Sequence, residues 1–212
     1  QQASGWSLVL KSSRQSDVLV VADKVIDDVL VAWEWAANQA KLEQLSCASE
    51  GLFLYYFLRY RFQEAEHACQ VAIEGVRGAP DVGEWLSLEG CLLAWQTNFC
   101  RLLGKAELAH QSADRSLEKL MLAQAAGKNS QWGLALLWRE RGYLSVSLPE
   151  QLDYHQRSAA LFAALGDPWW QVSSLTWGGG LANRLGDRDL AIAMHQQAME
   201  LSRAIGEPHL LA

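Results

Sequence analysis

Apolar residues recur three and four positions apart along most of the chain, and strand-type alternation is nearly absent. This pattern predicts a leading helix over about 18–38. Four helix pairs follow: 41–60 with 62–77, 82–103 with 104–126, 129–145 with 149–165, and 168–185 with 187–205. Short polar joints separate them, and Pro80, Pro149, Pro168 and Pro208 all fall where the apolar pattern breaks. Residues 1–16 carry little pattern and are expected to form a weakly structured lead-in to a repeat domain over 17–212. The segments also repeat. His155-Gln156 starts a stretch that ends in Gly166-Asp167-Pro168, and forty residues on His195-Gln196 starts one that ends in Gly206-Glu207-Pro208. Gln131 and Gln171 extend the match upstream, and Leu103-Gly104-Lys105-Ala106 is echoed by Leu185-Gly186-Asp187-Arg188. The terminal glycines suit left-handed C-caps, and the prolines stop the helix. A single helical hairpin is too thin to bury its apolar stripe, so stacking of pairs is expected to make the core continuous.

Composition narrows the function classes. Half of the 212 residues are hydrophobic and a fifth are charged, an ordinary globular balance. The net charge is -6 and no Lys/Arg run occurs, basic residues clustering no closer than in Arg139/Arg141, so no direct contact with nucleic acid is expected. No apolar stretch approaches the length of a membrane span, and the N-terminus does not read as a signal peptide. The start at Gln1 in place of methionine reads as an excised fragment. Cys47, Cys69, Cys91 and Cys100 form no C-x-x-C pair and have no histidine at zinc-ligand spacing, which suits reduced core thiols of a cytoplasmic protein. No Ser/His/Asp set, carboxylate pair or phosphate loop stands out, so neither an enzyme nor a cofactor is expected.

Gly179 on the first helix of the last pair, with Ala182, Ala191 and Ala198, puts small residues where two antiparallel helices would approach closely. Ala65 and Ala72 do the same in the pair at 41–77. In this the chain resembles a tetratricopeptide repeat array. The repeats are longer than that family's standard unit, and the third pair is shortened around Leu148–Glu150. A more specific likeness lies in Asp27-Asp28-Val29-Leu30-Val31-Ala32-Trp33-Glu34-Trp35-Ala36, leading into Glu50-Gly51-Leu52-Phe53-Leu54-Tyr55-Tyr56. This stretch resembles the start of the tetratricopeptide-like sensor region of bacterial STAND signalling ATPases and transcriptional regulators. The chain has no Gly-x-x-x-x-Gly-Lys-Ser/Thr, so the ATPase module of such a parent would lie outside it. The resemblance implies an all-α right-handed superhelix of helix pairs. A protein, peptide or small-molecule effector would bind in its concave groove and bias the parent between resting and assembled states. Two alternatives stand beside this reading: a scaffold that grips a peptide without switching, and a small-molecule, sugar-like binding module.

Ten tryptophans make the composition unusual. Trp33, Trp35, Trp85, Trp132 and Trp138 read as packing residues. Trp95 and Trp177, 82 residues apart, fall at the same position of their repeats. The resemblance puts that face on the groove, with Asn98 and Arg101 beside Trp95, and Gly180, Asn183 and Arg184 beside Trp177. Arg139 and Tyr143 would line it in the third pair. Trp would supply flat apolar area, Asn would read amides or hydroxyls, and Arg would clamp a carboxylate or phosphate. Plain packing with a solvated Arg is the alternative. Tyr55 and Arg59 are weaker candidates of the same kind. Gly178-Gly179-Gly180 sits inside a predicted helix, where each glycine costs about 1 kcal/mol relative to Ala. Gly179 fits close hairpin packing; Gly178 and Gly180 fit either tight packing or space for a ligand. His155 and His195 read as packing or capping residues, with no metal site expected.

Overall fold

Every helix-to-helix joint needs the chain to reverse within a few residues, and six of them do it in one way. Ala40, Tyr60, Gly104, Gly127, Gly166 and Gly186 have positive φ, from 47° to 87°. In each case the following N–H donates back five residues, as in Lys105 N to Cys100 O at 2.8 Å and Asp187 N to Ala182 O at 3.0 Å. This is the Schellman closure, which satisfies the last carbonyls of a helix. Glycine adopts this conformation without strain; Ala40 and Tyr60 adopt it with a side chain present. At the other end, Asp81, Asp167 and Asp187 accept from the backbone N–H three residues on, capping the next helix.

These joints separate the helices of a computed structural model that describes residues 3–77 and 81–206, apart from the side chain of Ser4. Pro80, Glu207 and Pro208, and the first two residues of the lead-in, lie outside the described residues. The fold is all-α, with no strand among the described residues. After a 3-10 turn at Ala3–Gly5 come α1 Trp6–Leu10, α2 Gln15–Asn38, α3 Leu42–Leu58, α4 Phe62–Val76, α5 Val82–Leu102 and α6 Ala106–Ala125. Then follow α7 Gln131–Leu144, α8 Leu148–Ala164, α9 Pro168–Leu185 and α10 Arg188–Ile205. No helix among the described residues is long and apolar enough to cross a membrane.

The chain divides into two compact units, Gln1–Ser130 and Gln131–Ala212. In the first, α5 packs against α3, α4 and α6, and its residues from Leu92 to Cys100 are all buried. Aromatic rings fill this core: Phe53 of α3 meets Trp33, Trp95 and Phe99 at centroid distances of 5.4–5.9 Å. Trp33 also donates through Nε1 to the Ala68 carbonyl at 2.9 Å, tying α2 to α4. Residues 3–10, part of the expected weakly structured lead-in, are helical, and Trp6 and Leu10 are buried. The reason is a close approach: a Cβ at Gly51 would lie 2.0 Å from the Ala3 carbonyl oxygen, so glycine there lets the first turn dock on α3.

In the second unit α7 packs on α8, α8 on α9, and α9 on α10. Its core holds Ala159, Val172, Leu175, Met194 and Ala198. Buried hydroxyls cross-link the helices. Ser158 donates to the Ala135 carbonyl at 2.8 Å and lies 2.9 Å from Ser174, so one serine of α8 touches both neighbours.

Candidate functional site

The local sequence of α7–α9 explains why an aromatic group gathers in the second unit. Gly142 of α7 leaves space for His155 of α8: a Cβ at Gly142 would lie 2.7 Å from His155 Nε2 and 2.8 Å from Cδ2. The imidazole therefore sinks between the helices and is only 1% exposed. Tyr143 meets it edge-on at 4.9 Å, and Trp177 lies nearly parallel to it at 6.5 Å. Tyr143 and Trp177 in turn meet at 5.1 Å with their rings at 89°. Each ring is held by two others, in the edge-to-face and offset geometries that aromatic quadrupoles favour. Trp177 nevertheless stays 54% exposed, so a fixed indole faces solvent.

Arg139 lies one helical turn before Tyr143 on α7. Its guanidinium sits 5.0 Å from the Tyr143 ring centroid and 4.9 Å from that of Trp170. Nε donates to Ser173 Oγ at 3.2 Å, and Nη1 pairs with the buried Glu140. The expected clamp is thus a buried cation, 5% exposed, that braces the aromatic group from below. Its charge is offset by Glu140 and its faces are covered by rings, which satisfies a buried arginine without a ligand.

Along α9, Gly180 and Arg184 continue the Trp177 face one and two turns on, and Asn183 lies alongside them. Asn183 and Arg184 are exposed, and a Cβ at Gly180 would meet nothing within 4 Å. The three consecutive glycines therefore divide. Gly178 accommodates Met194, whose Cε would lie 2.3 Å from a Cβ there, and Gly179 accommodates the His195 ring at 2.8 Å. Only Gly180 opens on free space beside Trp177. Together Trp177, Gly180, Asn183 and Arg184 offer an indole plate, a cleared turn, an amide and a guanidinium on one strip. That set can stack on a flat apolar group, hydrogen-bond a hydroxyl or amide, and pair with an anion.

The candidates of the first unit are placed differently. Trp95 and Asn98 are each 0% exposed, and Arg101 is half-buried near the end of α5. Trp95 stacks on Phe99 at 5.8 Å and 12°, against Phe53. The expected equivalence of Trp95 and Trp177 fails in exposure because α3 lays Phe53 over the α5 residue. Trp95 is a core residue and offers no open face. Tyr55 and Arg59 are also internal partners. Tyr55 donates to Asp23 Oδ1 at 3.0 Å, Arg59 donates to the same carboxylate through Nε and Nη2, and Arg61 donates to the Tyr55 hydroxyl at 3.3 Å. Desolvation pushes Asp23 up, but the bonds from Arg59 and Tyr55 and the arginine charges outweigh it and hold its carboxyl below the ordinary value. Burial raises Tyr55, helped by Asp23 and opposed by Arg61. Burial likewise pushes the Cys100 thiol up to about 11, and raises Cys69 well above the ordinary thiol value, with Cys100 and Glu66 adding to it.

His155, Trp170, Ser173 and Glu140 belong to the aromatic group, yet periodicity marks them only as helix positions. The one sequence signal for His155 is Gly142, which becomes legible only when α7 and α8 are brought together. Compared with known proteins, the chain matches no protein-family model and no curated protein.

Proposed function

We propose that this chain is a binding module of tetratricopeptide-like helical-repeat architecture, the sensor part of a STAND-type signal-transduction regulator, and that it acts by contact and not by catalysis. The contact surface is the α9 strip of Trp177, Gly180, Asn183 and Arg184, with Tyr143 beside it and Arg139 as the brace beneath. The observation that carries this reading is the state of Trp177: an indole more than half exposed, yet fixed by Tyr143 and His155. A large aromatic ring held still at the surface loses little conformational freedom when a ligand stacks on it, so more of the contact energy appears as affinity. The open turn at Gly180 supports the same reading, because it clears the surface next to the indole. A ligand bound here would shift a two-state parent only by the difference between its affinities for the two states.

The test is a thermal melt of wild type and Trp177→Ala, screened against peptides, sugars, nucleotides and protein fractions of a cell lysate. A ligand that binds the native state at about 100 times its Kd adds about 2.7 kcal/mol of stability. The reading expects a ligand that raises the wild-type melt and leaves Trp177→Ala unmoved. An equal rise in both would move the contact surface off α9.

A further inference from the structure

A separate cluster lies in the first unit, on residues that the α9 strip does not involve. Arg77 follows α4, Trp85 and Glu89 stand one turn apart on α5, and Arg115, Glu118 and Lys119 stand on α6; together they line a cleft of about 410 Å³. Glu89 is 2% exposed, and no hydrogen bond reaches its Oε2. Two cations flank it: Arg115 Nη2 is 3.6 Å from Oε1, and Lys119 Nζ is 3.6 Å from Oε2. Those separations give charge attraction but exceed hydrogen-bond length. Lys119 also sits over the Trp85 ring, 5.3 Å from its centroid. The buried carboxylate and the indole face thus fix where the two cations stand, while their N–H donors stay unspent. Among the described residues, the side chains of Arg77, Arg115 and Lys119 donate no hydrogen bond to any other group. Set against Glu89 and Glu118, the three cations leave the lining one positive charge in surplus.

We propose that this cleft binds an organic anion, a carboxylate or phosphate group carried on a body of about ring size. Arg77, Arg115 and Lys119 hold the anion, and Trp85 walls the body. Unused guanidinium and ammonium donors converging on one space are what an oxyanion needs. Arg115 and Lys119 are set in the free protein by Glu89, so binding orders little of them that was not already ordered. The cleft lies in the volume range of small-molecule sites, well above that of a bare oxyanion, which calls for a ligand with a body. A surplus of a single positive charge, with two carboxylates in the lining, favours one anionic group over a polyanion.

Calorimetric titration of the 212-residue chain with phenyl phosphate and with benzoate, at fixed ionic strength, tests the proposal, with benzyl alcohol as the uncharged control. The expected result is saturable heat with at least one anion and none with benzyl alcohol. The preferred probe assigns phosphate or carboxylate. Arg115→Gln and Lys119→Gln should each weaken binding by about tenfold or more, the worth of one charge-assisted hydrogen bond. Both substitutions also strip a partner from buried Glu89. Arg77→Gln, at an exposed position, should give a comparable loss with an unchanged melt. Trp177→Ala should leave the titration as in wild type. Absence of saturable heat with either anion overturns the proposal, as does wild-type affinity in both Arg77→Gln and Arg115→Gln.

Discussion

Replacing Gly142 and Gly180 by alanine, one at a time, sets two known effects against each other at two neighbouring places. Alanine is favoured over glycine in a helix interior by about 1 kcal/mol, and both positions are helical. At Gly180 nothing lies within 4 Å of the added methyl, so the full helical gain should remain. At Gly142 the methyl would lie 2.7 Å from His155 Nε2 and 2.8 Å from Cδ2. His155 has nowhere to retreat, since it is 1% exposed and boxed by Tyr143 and Trp177. Overpacking of this kind costs about 1–3 kcal/mol, enough to cancel or exceed the helical gain. The net expectation is a loss of up to about 2 kcal/mol for Gly142→Ala and a gain of up to about 1 kcal/mol for Gly180→Ala. Thermal melts followed by far-ultraviolet circular dichroism would show it, at about 2–4 °C per kcal/mol for a chain of this length. Gly142→Ala should also change tryptophan emission, because His155 carries the Trp177 ring with it. A Gly142→Ala protein as stable as Gly180→Ala would refute the packing described around His155.

Three further outcomes follow from the same geometry. A Cβ at Gly75 would lie 2.4 Å from the Ala37 carbonyl oxygen, a backbone atom that cannot swing aside, so Gly75→Ala should separate α2 from α4 and lower the melt by several degrees; a wild-type melt would refute that contact. The Asp23 carboxyl is held below its ordinary value of 3.8 in the folded chain, so its contribution is fully present above that pH and is lost as pH falls below it. The pH-dependent part of the stability gap between wild type and Asp23→Asn should therefore close on acidification below pH 3.8, and a gap that widens there would contradict the Arg59 pairing. Cys47 is exposed, while Cys69 and Cys100 are buried with raised thiols, so native labelling at pH 8 should modify Cys47 fast and those two only on unfolding; equal rates would contradict the first-unit core.

The helices were legible because amphipathic periodicity and joint chemistry agree. α2–α10 begin and end within three residues of the spans expected from pattern alone, and Gly166 and Gly206 adopt the left-handed caps that their sequence context suggested. The docking of residues 3–10 was not legible, because it depends on Gly51, a glycine inside a distant helix whose small size matters only once Ala3 lies on it. The site divided for a similar reason. Register alone made Trp95 and Trp177 equivalent, but exposure depends on what the neighbouring helix supplies. α3 brings Phe53 over Trp95, whereas Trp177 receives only Tyr143 and His155 and keeps an open face. The sequence makes Arg139 a groove residue, since nothing local to α7 announces Trp170 and Ser173 of α9 as its partners. Gly179 packs in the hairpin as its sequence position suggests, against His195, whereas Gly178 and Gly180 are indistinguishable in sequence and differ only in what stands across from them: Met194 and empty space.

The claim that the α9 strip is the contact surface is tested most directly by a reporter placed on it. Gly180→Cys, in a background with Cys47→Ser and Cys91→Ser, would carry an environment-sensitive fluorophore where the structure leaves room for it. A second protein carrying the same label through Gln196→Cys, an exposed position on α10, would serve as the off-site control. Both would be exposed to any peptide, sugar, nucleotide or protein fraction that raises the wild-type melt. The account predicts an emission change at position 180 and none at 196. A change at 196 alone, or a ligand that raises the melt and alters neither label, would contradict it.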